Sequence, residues 1–215
     1  MFPVYACNFK CDYCLNSLPK EEHGYISNKI FMDLSLYKKC IDDIAKFENK
    51  LKALLFVGMG EPLLHKDIVE MVRYAKEKDI ADSIEIVTNG ALLNNSLSKM
   101  LIEAGLDRLR ISIQGVSKEK YKKTSNVDID FEEFVQNINY FYENRKNTKV
   151  YVKIIDCSLS DKNEEQIFFD IFTGICFSAR SNISSVPINY FFFVVVLTAL
   201  VFTSGSSFGI IFSIR

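Results

Sequence analysis

Between Leu34 and Asp170, short apolar runs alternate with amphipathic stretches. The segments "KALLFVG" (52–58), "SIEIVTNG" (83–90), "LDRLRISIQG" (106–115) and "KVYVKIIDC" (149–157) have the length and aliphatic content of buried strands. The segments "KDIVEMVRYAKEK" (66–78), "LSKMLIEAG" (97–105), "FEEFVQNINYFYENR" (131–145) and "NEEQIFFDIF" (163–172) space apolar residues by three and four, which predicts helices. Gly105 stands just past one helix end, and Asn89-Gly90 marks a turn. "FPVYA" (2–6) reads as the remains of a first strand. Alternation with connections this short requires parallel strands and right-handed crossovers, so the fold class is α/β, an open sheet or a barrel. In both architectures ligands bind at the carboxyl ends of the strands. The residues that follow the strands are "CNFKCDYC", "GMGEP", "TNG" and "QG", so four distant segments converge on one rim.

Composition divides the chain. Of 53 charged residues, only Arg180 and Arg215 lie beyond Asp170, and 181–214 carries no charge at all. Two parts follow: a body, 1–170, and a hydrophobic tail, 171–215, uncharged but for those two arginines. Three readings of the tail stand side by side. Tyr190–Phe202 is apolar apart from Thr198, short of the ~20 residues a membrane helix needs, although the uncharged flanks from Val186 to Ile211 would reach. It is otherwise a buried element completing the body, or out-of-frame sequence foreign to the fold. The abrupt loss of charge and helical periodicity favours the last.

A formal net charge of −1 provides no basic footprint for nucleic acid. No basic stretch followed by an apolar core opens the chain, which predicts a cytoplasmic protein. Six cysteines, at 7, 11, 14, 40, 157 and 176, are too few and too unevenly spread for a disulfide scaffold. Cys40 and Cys157 lie in helical and strand patterns and read as packing residues.

Cys7, Cys11 and Cys14 are different, three thiols in a C-x3-C-x2-C spacing. A structural zinc site wants four ligands, and His23 is the candidate fourth, alone in the exposed-looking "KEEHG". Three thiolates without an obvious fourth ligand suggest a metal centre with one open position, where something exchangeable binds. The spacing, with Tyr13 before the last cysteine, resembles the signature of the radical S-adenosylmethionine (radical SAM) superfamily, over roughly Phe2 to Asp170. The resemblance implies a partial parallel βα barrel of about five units, incomplete on its C-terminal side. It implies a 4Fe–4S cluster on Cys7, Cys11 and Cys14, S-adenosylmethionine on the remaining iron, and an electron donor such as flavodoxin or ferredoxin. Reductive cleavage of the sulfonium would then yield a 5′-deoxyadenosyl radical that abstracts hydrogen from a substrate.

The other rim segments take roles from the same resemblance. "GMGEP" resembles the family's Gly-Glu-Pro motif, which contacts the methionyl ammonium group, so Gly58, Gly60, Glu61 and Pro62 are expected at the cofactor. Glycines there permit a close approach, and Glu61 adds a carboxylate. Thr88 and Asn89 of "TNG" are candidate cofactor residues, with a plain turn as the alternative. In "RISIQG", Ile111 and Ile113 share one face while Ser112 and Gln114 share the other. If the isoleucines meet the helices, the polar pair points into the barrel and needs partners, for which ribose hydroxyls or the cofactor carboxylate would serve. Lys153 reads as an edge lysine with its head in water. No histidine receives a catalytic role. The substrate class stays open among peptide or protein modification, activation of another enzyme, and RNA modification. The rival is a non-catalytic remnant, or a zinc- or cluster-binding protein without turnover.

Overall fold

The computed structural model describes residues 1–19, 29–155, 158–176 and 178–182. Five parallel strands, β1 (Leu54–Phe56), β2 (Ile84–Thr88), β3 (Arg108–Ile113), β4 (Lys149–Ile155) and β5 (Ser178–Asn182), form one sheet in chain order. Among the described residues six α-helices accompany them: α1 (Leu34–Ile44), α2 (Ile68–Glu77), α3 (Asn95–Glu103), α4 (Lys118–Ser125), α5 (Phe131–Asn144) and α6 (Lys162–Phe172). Strand order that follows chain order is that of a βα barrel and not of a doubly wound sheet, as the resemblance implies.

Helices form where the apolar spacing asks for them. α2 buries Ile68, Met71, Val72 and Ala75, and α5 buries Phe134, Ile138 and Phe141, each a single stripe. Side chains start the helices: Asn94 accepts from Leu97 N at 2.9 Å, Asp130 from Glu133 N at 3.0 Å, and Asp161 from Asn163 N and Glu164 N, both at 2.9 Å. α4 escapes the apolar pattern because "KEKYKKTS" is mostly charged, with Tyr121 as its buried aromatic anchor. Ser117 caps it at one end, and Asn126 closes it at the other in the left-handed region, φ 47°.

The sheet has two unlike faces. Leu54, Phe56, Ile84, Ile86, Leu109, Ile111, Ile113, Val150, Val152 and Ile154 are buried in the core. Arg108, Arg110, Ser112, Tyr151 and Lys153 are half-buried on the other face. Ser112 therefore points away from the isoleucines, as its alternation predicts. Lys153 differs from its sequence reading. It pairs with Ser112 on one side and with position 180 on the other, so it sits on an interior strand and not at an edge.

"FPVYA" is not a strand. The Met1 amine donates to Leu55 O at 2.9 Å and Met1 O accepts from Val57 N at 3.1 Å, one step of a parallel ladder against β1. The ladder would next need an N–H from residue 3, which is proline. The chain turns away instead, and Val4 makes an isolated antiparallel bridge with Phe31.

At the other end the compact unit runs to Ile183, because β5 adds to β4 and α6 seats Phe168 and Phe172 in the core. Ser184–Arg215 counts as a separate unit and lies outside the described residues, as does the stretch on which the tail readings turn. Among the described residues, no helix is long and apolar enough to cross a membrane.

Candidate active site

The three clustered cysteines occupy a loop held from several sides. Lys10 N donates to Ser125 O at 2.9 Å and Asp12 N to Thr124 O at 3.2 Å, so the last turn of α4 flanks Cys11 on both sides. Cys14 N donates to Cys11 O at 2.9 Å, and Ser17 Oγ donates to the same carbonyl at 2.7 Å. Phe9, buried beneath the loop, packs its ring edge-on to Tyr121, with centroids 5.9 Å apart. Cys11 is buried; Cys7 and Cys14 are half-buried.

Burial pushes the Cys7 thiol up, against the pull of the Phe9 N–H at 3.4 Å; the charges of Glu61, Cys11 and Cys14 push it further. Burial likewise raises Cys11, opposed by hydrogen bonds to Ser125 and Tyr13. Both shifts favour the protonated thiol over the thiolate. Binding a metal to them would release protons, and their mutual repulsion is what a cation would relieve.

The "GMGEP" segment lies beside the stretch that leads into the cysteines. A Cβ on Gly60 would fall 2.4 Å from Ala6 O and 2.5 Å from Val4 O. Gly58, at φ 135°, faces the Phe2 ring. The close approach these glycines permit is that of the chain's own N-terminal segment. Glu61 N donates to Ala6 O at 2.8 Å and continues the same contact.

The Glu61 side chain, 2% exposed, turns inward. Its Oε1 accepts from Leu63 N at 2.9 Å and Thr88 Oγ1 at 2.6 Å, and its Oε2 accepts from Asn89 N at 2.7 Å. Burial raises its carboxyl, and these three donors pull it back. Pro62 starts the short 3-10 turn Pro62–Leu64 that aims Leu63 N at the carboxylate. Thr88 Oγ1 also accepts from Gly90 N at 2.9 Å. Asn89 Nδ2 reaches Asn8 Oδ1 at 2.8 Å and Cys7 Sγ at 3.7 Å, linking the end of β2 to the cysteine loop.

Tyr13 OH donates to Gln114 Oε1, which fastens the loop to the exit of β3. Gln114 is otherwise absorbed by its surroundings: Nε2 donates to Ser112 O at 3.1 Å, and its carbonyl accepts from Thr124 Oγ1 at 2.7 Å. The structure thus bonds Cys7, Glu61, Thr88 and Asn89 into one group and Tyr13 and Gln114 into another, both on the cysteine loop, with Ser112 on the open face of β3. His65 stands apart. Its Nδ1 accepts from Asp67 N at 3.1 Å, so its Nε2–H donates to Met32 O at 2.8 Å, a buried pin between segments. His23 and Cys157 lie outside the described residues.

Two features were missed from the sequence. Ser125 places its Oγ 3.2 Å from Cys11 Sγ, and nothing in "KEKYKKTS" signals that. Glu85, 1% exposed, takes Arg108 Nη1 at 2.8 Å and Arg110 Nε at 2.6 Å on the open face of the sheet. A signal existed for this one: single charges alternate with aliphatics in "SIEIV" and "RLRISI", and a charge inside a buried strand needs a partner. Lys153 shares that face, its ammonium pulled down by burial and by Arg110.

The sequence pattern of the Radical SAM superfamily matches residues 1–166. The tungsten-containing aldehyde ferredoxin oxidoreductase cofactor-modifying protein of Pyrococcus furiosus is 34% identical over 133 residues, 54% of this chain and 35% of that protein. A probable GTP 3′,8-cyclase of Saccharolobus islandicus (strain M.14.25 / Kamchatka #1) is 31% identical over 167 residues, 72% of this chain and 50% of that protein. SuiB of Streptococcus suis, solved bound to S-adenosylmethionine, superposes with a TM-score of 0.61 at 19% identity, over 86% of this chain and 40% of that one. The chain therefore spans about a third to a half of the length of the curated relatives it matches.

Proposed function

This chain belongs to the radical SAM superfamily, and we propose on that footing that it generates a substrate radical from S-adenosylmethionine, with Cys7, Cys11 and Cys14 as the protein ligands of a 4Fe–4S cluster. Members of the family are enzymes that use this cluster and this cofactor. The donor set fits the group. A 4Fe–4S cluster takes its protein ligands as separate cysteine thiolates around a cube. The three thiols lie close enough for Cys11 and Cys14 to raise Cys7. When bound, the cluster and S-adenosylmethionine supply a 5′-deoxyadenosyl radical after one-electron reduction.

The chain's own residues hold that chemistry in place. Tyr13, Asn89 and the end of α4 fix the cysteine loop, and Glu61 locks "GMGEP" to "TNG", which turns the backbone of both segments toward the cofactor. Ser112, on the open face below, is the polar group left to meet the ribose or carboxylate of S-adenosylmethionine. Electrons come from a small carrier of the flavodoxin or ferredoxin kind.

For the substrate we favour a nucleotide or a small cofactor precursor over a peptide or RNA. Two curated relatives above 30% identity are named for a GTP cyclase and for cofactor modification, whereas SuiB, at 19%, speaks for the fold alone. The observation that carries the proposal is the cysteine loop bonded to the Glu61–Thr88–Asn89 rim. Anaerobic reconstitution tests it: about four irons with sulfide, and 5′-deoxyadenosine formed on reduction, are expected. One zinc, or a cluster that never cleaves S-adenosylmethionine, would return the chain to the non-catalytic reading. Adding GTP and, separately, peptides to the reconstituted protein then tests the substrate class.

A further inference from the structure

Ser125 ends α4 and is fully buried, 114 positions from Cys11 in sequence yet 3.2 Å from its sulfur. Its place is set by backbone, since Lys10 N and Asp12 N bond the carbonyls of Ser125 and Thr124 on either side of the cysteine. Its hydroxyl makes no other hydrogen bond among the described residues. Between a thiol and a hydroxyl, either group can donate. A thiolate that holds iron has no proton, and the bond then runs one way only, from Ser125 Oγ–H to Cys11 Sγ.

We infer that Ser125 is a positioning residue of the cluster: its hydroxyl fixes the Cys11 ligand and, by hydrogen-bonding its sulfur, raises the cluster's reduction potential. The inference rests on the reading of Cys11 as a ligand. Reduction adds negative charge to the cluster, part of it on the sulfurs, so a donor aimed at a sulfur stabilises the reduced form more than the oxidised one. Cys7 has its nearest donor on the backbone, Phe9 N at 3.4 Å, which no side-chain change removes. Tyr13, which also bonds Cys11, is tied to Gln114 as well, and Asn89, which reaches Cys7, is tied to Asn8. Replacing Ser125 removes the hydroxyl's bond to Cys11 and no other among the described residues.

The experiment compares reconstituted wild type with Ser125→Ala, Ser125→Thr and Ser98→Ala. Ser98, on α3, is as deeply buried, and its hydroxyl lacks a hydrogen-bond partner among the described residues, so it controls for losing a buried oxygen. Midpoint potential by dye-mediated titration and the electron paramagnetic resonance spectrum of the reduced cluster are read beside iron content. Ser125→Ala is expected to load iron like wild type, with a more negative midpoint and an altered spectrum. Ser125→Thr should restore both, and Ser98→Ala should change neither. Loss of iron in Ser125→Ala with recovery in Ser125→Thr also supports the hydroxyl. Full iron with an unchanged potential in Ser125→Ala overturns the inference and leaves the ligand assignment intact, as does equal iron loss in both Ser125 variants. Full iron in Cys11→Ala would instead overturn the ligand assignment itself.

Discussion

Thr88 Oγ1 donates to Glu61 Oε1 at 2.6 Å, joining the turn after β1 to the end of β2 across 27 positions. The carboxylate that the family resemblance assigns to cofactor contact is at the same time the bond between two rim segments. Replacing Glu61 with Ala would leave the N–H groups of Leu63 and Asn89 buried without an acceptor, at ~1–3 kcal/mol for each unsatisfied group. Glu61→Ala should therefore lose thermal stability as well as affinity for S-adenosylmethionine. Thr88→Val should cost about 1 kcal/mol of stability, with a smaller effect on affinity. Denaturant titration paired with cofactor titration separates the two. Full stability in Glu61→Ala would contradict the hydrogen-bonded arrangement.

Gly60 makes a second, stricter demand. Its missing side chain is replaced by backbone, with Ala6 O 2.4 Å and Val4 O 2.5 Å from where a Cβ would sit. Backbone cannot swing aside as a side-chain tip can, so Gly60→Ala must displace the segment that leads into Cys7. Overpacking of this kind costs ~1–3 kcal/mol. Iron loading should fall together with the unfolding midpoint; wild-type loading would show that the segment moves freely.

Among single cysteine replacements, Cys11→Ala should abolish cluster assembly, while Cys40→Ala should load normally, because Cys40 is a half-buried residue of α1. Iron and sulfide per chain decide it. Equal damage from both would remove the cysteine loop from its role.

The buried carboxylate of Glu85 predicts an asymmetry. Its two arginines are about a third exposed and can turn to water if the carboxylate is removed, whereas the carboxylate cannot reach water if both arginines go. The Arg108→Ala/Arg110→Ala pair should thus destabilise more than Glu85→Ala, towards the 3–5 kcal/mol typical of an orphaned buried charge, despite the help of Ser83 Oγ at 3.0 Å. Urea unfolding of the three proteins measures it, and the reverse order would count against the burial of that carboxylate.

The C-terminal boundary is testable by truncation. A chain stopped at Asp170 lacks Phe172, which is fully buried with its ring 5.2 Å from that of Phe168, and lacks β5. A chain ending at Ile183 keeps both and drops the uncharged run, whose composition invites aggregation when exposed. The longer of the two should give more soluble protein with a cluster. The opposite result would place β5 outside the folding unit.

The order of β1 to β4 with α2, α3, α5 and α6 between and after them, the rim at which distant segments meet and the three cysteines on one loop were legible from the sequence alone, whereas β5 was hidden in what reads as a tail. These are local properties: apolar residues repeating every two or every three to four positions, and thiols four and three positions apart. Only the tertiary structure decided that Glu61 turns inward onto Thr88 and Asn89, that proline at residue 3 ends the pairing of the N-terminal segment after one step, and that a charged, unpatterned stretch becomes α4 and carries Ser125 to Cys11. Partnerships such as these join residues 27 and 114 positions apart. Their geometry is set by the register of parallel strands and by what packs beneath a loop, and neither leaves a mark on the neighbouring residues in sequence.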